Sequence, residues 1–190
     1  AASDLLAPQS DVMMSPYSSG LAYYVSKAAH ENNKVMFANG AVRPDVFEFR
    51  PASFGVLPSG YSYLQQILPL LHSKGAKSIY YVTDGKPGNF VKGLCGFVPD
   101  FAREWGLTLK GTSAIIDTGN PQTDFDVVAS SLSREELNPD ILVSCIDTFC
   151  DKWIASLRRV NWSPKALIIT VCPGSDFFEK SVKSDAEYIL

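Results

Sequence analysis

Histidine is scarce in this sequence, and the residue patterns that most often mark catalysis are missing. The 190 residues include two histidines, His30 and His72. Both lie near the C-terminal ends of predicted helices, where the helix dipole favours a positive charge. No G-x-S-x-G, H-E-x-x-H, G-x-x-x-x-G-K-[ST] or G-x-G-x-x-G pattern occurs, so the common signatures of hydrolases, zinc proteases and nucleotide-binding proteins are absent. We therefore expect a protein that is not an enzyme and needs no cofactor.

Clusters of basic residues and long apolar runs are also absent. The net charge is -3, and without a lysine or arginine cluster this argues against nucleic acid and anionic membrane surfaces as partners. No apolar run approaches the roughly 18 to 20 residues needed to cross a bilayer, so we expect no membrane insertion of this segment. Residues 1–9 read as the end of a helix that leads into a strand, which suggests a fragment of a longer protein.

The four cysteines show no C-x-x-C pair and no histidine at metal-ligand spacing, which argues against a zinc site. Cys145 and Cys172 both end predicted strands that should be neighbours, so they are the first pair to test for a disulfide. Buried free thiols remain the default expectation.

The first part of the chain predicts a strand, helix, strand unit. An apolar run at 12–14 is followed by a Pro-Tyr-Ser-Ser-Gly turn, a helical pattern, and a second apolar run at 35–38 that ends in Asn-Gly-Ala. A right-handed crossover makes such strands parallel, so Ser18, Ser19 and Ala41 should face one crevice. The hydroxyls and free N–H groups there suit a carboxylate or another small polar group. The alternative is that the two serines only cap the helix.

The rest of the sequence alternates strands and helices at short spacing, which predicts an α/β fold with parallel sheets covered by helices on both faces. A kink or early end is expected at Pro69, and a helix cap at Thr123 or Asp124. We place part of a first lobe in 1–50, a hinge crossing in 51–60 and an incomplete second lobe in 61–190. The remaining predicted strands are 53–56, 78–82, 107–116, 141–145 and 166–172, and the remaining helices are 61–73, 90–105, 124–132 and 149–160.

Three aspartates follow predicted strands of the second lobe. Asp84, Asp147 and Asp176 should converge on one rim, because ligands of open α/β sheets bind at the carboxyl ends of the strands. Each could instead form a turn or cap a helix. Four aromatic residues lie near these rims and are candidates either for contact with a ligand or for the core: Tyr17, Phe90, Phe149 and Phe177.

Taken in order, these motifs resemble the type I periplasmic binding protein superfamily, in particular its leucine and branched-chain amino acid binding branch, which also serves as the ligand-binding region of receptors. The resemblance covers essentially the whole chain. It is carried by Ser15-Pro-Tyr-Ser-Ser-Gly20, Val35-Met-Phe-Ala-Asn-Gly-Ala41, the crossing at 49–56, the strand before Asp84, Asp124-Phe125-Asp126 and Asn138-Pro-Asp140.

The resemblance implies two lobes that close over a ligand. Ser18, Ser19 and the backbone at Ala41 would hold the carboxylate of an amino-acid-like ligand, and the acidic and aromatic groups near Asp84, Asp147 and Asp176 would hold its amine and side chain. It also implies a periplasmic or extracellular location and a membrane permease or receptor as partner.

The sequence departs from the family pattern at two places. Val42-Arg43 stands where amino-acid binders often carry a serine or threonine, and Arg43 could replace that contact electrostatically. Residues 88–90 replace a tyrosine. The predicted ligand-binding residues are therefore Ser18, Ser19, Ala41, Arg43, Asp84 and Asp147. Two other functions stay open: an α/β enzyme with Asp84 or Asp147 as acid or base, and an interaction subunit that has lost its ligand.

Overall fold

The computed structural model describes residues 2–83, 93–116, 118–134, 136–146 and 149–169. The chain divides into two compact units. Unit 1 comprises Ala1–Gln66 and Pro87–Phe97, and unit 2 comprises Ile67–Lys86 and Val98–Leu190. The fold is α/β, as predicted, with one parallel sheet in each unit.

The sheet of unit 1 contains three parallel strands in the order β1-β2-β3: β1 is Val12–Ser15, β2 is Val35–Ala38 and β3 is Ser53–Gly55. Its helices include α1 (Ala2–Leu6) and α2 (Ser19–Glu31). The buried face of α2 carries only small side chains, among them Ala22, Ser26 and Ala29, which allows the helix to approach the sheet closely. The predicted strand, helix, strand unit is thus present, with β1 and β2 parallel and in register from Val12↔Val35 to Ser15↔Ala38.

The other face of this sheet is apolar and exposed. Side chains alternate along a strand, so Met13 and Met36 are buried while their neighbours point the other way. Met14 is 71% exposed and Phe54 is 50% exposed, and the rings of Phe37 and Phe54 contact each other at 5.7 Å. The members of this exposed face are Val12, Met14, Val35, Phe37 and Phe54.

The limits of unit 1 differ from the boundary that the sequence predicts. The prediction places a crossing at 51–60, whereas unit 1 extends to Gln66 and takes in Pro87–Phe97. Two contacts tie the start of α3 (Gly60–Gln65) to unit 1. The amide of Gly60 donates to the carbonyl of Val42 at 2.8 Å, and the ring of Tyr61 lies edge-on to Phe97 at 5.2 Å.

Unit 2 contains a four-stranded parallel sheet in the order β5-β4-β6-β7. The strands are β4 (Ser78–Thr83), β5 (Thr108–Ala114), β6 (Ile141–Cys145) and β7 (Ala166–Ile169). Every residue of β6 is buried, which is typical of a central strand covered on both faces. The helices are α4 (Ile67–Ser73), α5 (Val98–Glu104), α6 (Pro121–Leu132) and α7 (Cys150–Arg159).

A carboxylate joins the starts of the strands of unit 2. Asp140 accepts hydrogen bonds from the amides of Lys77 (2.7 Å) and Ser78 (3.1 Å) and pairs with Lys165 at 2.7 Å. Burial opposes ionisation of this carboxyl, but the hydrogen bonds from Lys165, Lys77 and Ser78 outweigh it and lower its pKa. The side chain therefore connects residues next to β4, β6 and β7.

Several predicted helices differ from the structure: within the described residues, the helix expected at 90–105 is interrupted by a turn at 96–97, and α5 begins at Val98. The helix expected at 61–73 is divided at Gln66 into α3 and α4, and Pro69 is the third residue of α4. A proline is tolerated there because the first amides of a helix have no partner within it. The N-cap of α6 is Asn120, whose side chain accepts from the amide of Thr123 at 3.4 Å, and not Thr123 or Asp124. Pro121 occupies the first helical position, where proline is favoured.

The default expectation of free thiols is wrong for the described cysteines. Cys95, Cys145 and Cys150 are all disulfide-bonded, and none of the cysteines that the structure describes is free. Cys172 lies outside the described residues, so the pair Cys145–Cys172 stays a prediction.

Candidate functional site

The two serines of the Pro-Tyr-Ser-Ser-Gly turn lie at the carboxyl end of β1. Ser18 is the N-cap of α2, and its hydroxyl accepts from the amide of Leu21 at 3.4 Å. The capping role considered from the sequence is therefore present. A hydroxyl that accepts one hydrogen bond keeps its own proton to donate, so capping does not prevent Ser18 from contacting a ligand.

Ser19 connects the start of α2 to the segment that follows β2. Its hydroxyl accepts from the amide of Val42 at 3.1 Å, across 23 residues of sequence. Both residues are almost fully buried, with 3% and 1% of their surface exposed. Ala41 packs in the core of unit 1 and has no exposed surface. The structure thus places Ser18, Ser19 and Ala41 after the carboxyl ends of β1 and β2, and that they face one crevice stays a prediction.

The aromatic ring of Tyr17 lies at this edge of the sheet, next to Gly40. The ring of Tyr17 packs on Gly40 so closely that a Cβ added to Gly40 would lie 2.1 Å from Cδ2 of the ring. Tyr17 is nevertheless 75% exposed, so it belongs to the surface and not to the core. Burial and the neighbouring Tyr17 raise the pKa of Tyr63, a residue of α3. Tyr17 is recognisable in the sequence because it belongs to the turn after β1, whereas Tyr63 gives no such signal because it lies in an ordinary apolar helical stripe.

The charge of Arg43 is already paired within unit 1. Its guanidinium donates two hydrogen bonds to the carboxylate of Asp45, and this bond raises its pKa while burial opposes the increase. The guanidinium also lies over the ring of Tyr23, 5.3 Å from the ring centroid. A ligand carboxylate that used Arg43 would therefore compete with Asp45. The short Arg-Pro-Asp spacing in the sequence is the signal that could have indicated this pair.

The acidic residues predicted for the second half of the site, Asp84 and Asp147, lie outside the described residues, as do Asp176, Phe90 and Phe177. The strands before the first two are described. Thr83, the last residue of β4, is paired with Cys145, the last residue of β6. The chain therefore leaves both strands at the same edge of the sheet.

Phe149 is the described aromatic residue at this edge of unit 2. It precedes α7 with a left-handed backbone (φ 56°), which is uncommon for a bulky residue. The residue is 48% exposed, and its ring lies under the ammonium of Lys152, which is 4.8 Å from the ring centroid. Phe149 is therefore a surface aromatic residue next to the strand end, as a ligand contact would require.

The described residues contain no group of three or more histidine, cysteine, aspartate or glutamate side chains placed to hold a metal ion. Within the same ranges, every helix is too short or too polar to span a bilayer.

Comparison with known proteins gives the fold. Neither a protein-family model nor a curated relative matches the sequence. Among solved structures, the chain is similar to an extracellular ligand-binding receptor from Rhodopseudomonas palustris HaA2, with a TM-score of 0.72 and 15% identity over 99% of this chain and 52% of that one. The fold is that of the type I periplasmic binding proteins.

Two further structures of this fold contain ligands. An ABC transporter substrate-binding protein from Desulfitobacterium hafniense in complex with leucine has a TM-score of 0.68 and 14% identity over 88% of this chain and 49% of that one. A solute-binding protein of an ABC transporter from R. palustris in complex with 4-hydroxybenzoate has a TM-score of 0.64 and 15% identity over 88% of this chain and 46% of that one. The chain thus spans about half the length of the structures that it resembles, and those proteins are binding proteins.

Proposed function

We propose that this chain is part of a non-enzymatic binding protein that captures a small polar molecule between its two units, with amino acids as the first class to test. The observation that carries the proposal is the bond between Ser19 and the amide of Val42. This bond brings the two serines and the Gly-Ala segment to one sheet edge, next to the exposed ring of Tyr17. Hydroxyl groups at a helix N-terminus suit the carboxylate of such a ligand.

The second half of the site is proposed from sequence and strand register together. Asp84 and Asp147 follow two strands that end side by side, and their carboxylates would accept hydrogen bonds from the amine of the ligand. Phe149 would contact its apolar part. Arg43 would contribute by exchanging Asp45 for the ligand carboxylate. The ligand would favour closure if it contacted both units in the shut state and only one in the open state. A ligand shifts the equilibrium between two states only by the difference between its affinities for them.

A location outside the cytoplasm and a permease or receptor as partner belong to the same proposal. The disulfide-bonded state of Cys95, Cys145 and Cys150 supports the location, because disulfides persist in oxidising compartments and are rare in the cytosol. The leucine and 4-hydroxybenzoate complexes of structures with this fold support a small-molecule ligand that carries a carboxylate.

The experiment is isothermal titration calorimetry of the full-length protein with the amino acids and 4-hydroxybenzoate. For a ligand that binds, the double variant Ser18→Ala, Ser19→Ala should lose at least about tenfold in affinity, since a hydrogen bond to a charged group contributes about 1.5–3 kcal/mol. Asn120→Ala is the matched control, because it also removes a helix N-cap but lies in unit 2. Unchanged affinity in the double variant would exclude the assigned edge.

The carboxylates are tested separately. Asp84→Asn and Asp147→Asn should weaken binding of amino acids while 4-hydroxybenzoate, which has no amine, binds as before. An equal loss for both ligands would contradict the role assigned to these two residues.

A further inference from the structure

Unit 2 contains a cavity that the proposed function does not use. It lies between the end of β5 and one face of α6 and has a volume of about 330 Å³, near the lower end of the range for small-molecule sites, about 300–1,000 Å³. The helix contributes Asp124, Val127, Val128 and Ser131, which are spaced as one stripe of a helix. The cavity is therefore a feature of the strand and helix packing inside one unit.

The walls of the cavity are largely aliphatic. Val128 is the buried member of the lining, whereas Ala114 is exposed and Ile116 and Val127 are 75% and 67% exposed. An apolar group that covers exposed aliphatic side chains beside a cavity is bound favourably, because the burial of apolar surface lowers the free energy. The walls therefore suit a compact apolar body.

The polar side chains that α6 and the preceding Thr118 contribute to the cavity offer hydrogen-bond acceptors, while the Ser113 hydroxyl at the end of β5 shares a 2.7 Å hydrogen bond with the Tyr80 hydroxyl in which either oxygen can be the donor. Asp124 is 7% exposed, and its carboxylate accepts from the amide of Thr118 at 3.1 Å and from the Thr118 hydroxyl. The Ser131 hydroxyl donates its proton to the carbonyl of Val128 at 2.7 Å. The hydroxyls of Thr118 and Ser131 thus already donate their protons within the protein, so they can only accept hydrogen bonds from a ligand.

The negative charge of Asp124 has no counter-ion among the described residues. Two residues further along the same helix, Asp126 forms an ion pair with Arg159, whereas the ion pairs of the described residues do not include Asp124. The bonds from Thr118 and the start of α6 stabilise this charge in part, but a buried carboxylate without a cation remains costly. A cation that entered the cavity would lower this cost and would find three acceptor groups for its protons.

We propose that this cavity is a second ligand site, which binds a small organic ammonium ion with an apolar body. The ammonium group donates to Asp124 and Ser131, and the apolar body lies between Val127, Val128 and Ile116. Anions are repelled by Asp124, and neutral alcohols leave its charge unpaired. The cavity is lined by residues of unit 2 alone and shares none with the edge formed by Ser18 and Ser19, so its proposal does not depend on the proposed function.

The test uses the full-length protein and three probes of similar shape: 2-phenylethylammonium, 2-phenylethanol and 3-phenylpropanoate. Calorimetry and chemical-shift mapping should show binding of the ammonium probe and at least about tenfold weaker binding of the other two. Failure of the ammonium probe to bind at concentrations up to about 10 mM, or equal affinity for the alcohol, would overturn the proposal.

Variants locate the site. Asp124→Asn should weaken the ammonium probe at least about tenfold, and Asp126→Asn, the matched control on the same helix, should leave its affinity unchanged. Val127→Phe fills the cavity and should abolish binding. Because position 127 is exposed, this variant should fold, so the test stays decisive even if Asp124→Asn does not fold. Normal affinity in Val127→Phe would overturn the assignment. Because the probe has no carboxylate, Ser18→Ala, Ser19→Ala should not affect it, which separates this site from the proposed one.

Discussion

Replacement of Ser19 by alanine tests the contact on which the proposed site depends. The variant removes the acceptor of the Val42 amide, and both residues are almost fully buried. A buried donor left without a partner costs about 1–3 kcal/mol. For a chain of 150–250 residues each kcal/mol corresponds to roughly 2–4 °C in Tm. We therefore expect Ser19→Ala to lower the midpoint of thermal unfolding by about 4–8 °C, for a loss of about 2 kcal/mol.

Two other serine variants serve as references for the size of this loss in stability. Ser18→Ala removes a helix cap whose hydrogen bond is long, 3.4 Å, so its cost should be at the lower end of the usual range of about 0.5–2 kcal/mol. Ser73→Ala removes an exposed bond to the carbonyl of Leu70 and should change stability by less than about 0.5 kcal/mol. Hydrogen exchange of the Val42 amide should become faster only in Ser19→Ala. The reasoning is refuted if Ser19→Ala is no less stable than Ser73→Ala and the Val42 amide stays protected.

Three further predictions follow from other contacts. Gly40→Ala should displace the exposed ring of Tyr17 at a cost in stability below about 1 kcal/mol. It should also weaken ligand binding as Tyr17→Ala does, and unchanged affinity would contradict a role of the Tyr17 ring in binding. The lowered pKa of Asp140 means that its contribution to stability is complete above the ordinary carboxyl pKa of about 4 and is lost as the pH falls through the lower folded pKa. Denaturation of Asp140→Ala and the unmodified protein should therefore show a constant difference of roughly 2–3 kcal/mol at neutral pH that shrinks only under acidic conditions; a difference that grew on acidification would have the wrong sign. Reduction with dithiothreitol should lower the stability by about 2–4 kcal/mol per disulfide, measured by urea denaturation, and no change would contradict the bonded state of the described cysteines, Cys95, Cys145 and Cys150.

The strands were largely predictable because apolar runs between turn residues specify them with little ambiguity. The predictions at 35–38 and 141–145 match β2 and β6 residue for residue. Helix ends were harder to predict, because they depend on which side chain caps the first turn. Asn120 followed by Pro121 is a better start than Thr123 or Asp124, since the proline needs no hydrogen-bond acceptor for its nitrogen.

The part of the candidate site that could be predicted is the part that follows from the parallel arrangement of the strands. That arrangement placed Ser18, Ser19 and Ala41 at one edge without any knowledge of side-chain contacts. It could not show that Arg43 is neutralised by Asp45, because such a contact depends on side-chain direction in the folded chain. The bonded state of the cysteines was equally hidden, since spacing alone does not tell a disulfide from a buried thiol.

The exposed apolar face of the first sheet has a practical consequence for binding experiments. Its members, Val12, Met14, Val35, Phe37 and Phe54, would be in contact with water if the 190-residue segment were produced by itself. Molecules with such a surface tend to stick to one another at the concentrations that calorimetry requires. Heats of dilution from this clustering would then obscure the heat of ligand capture, so titrations should use the full-length protein, with light scattering to verify that the sample stays monodisperse.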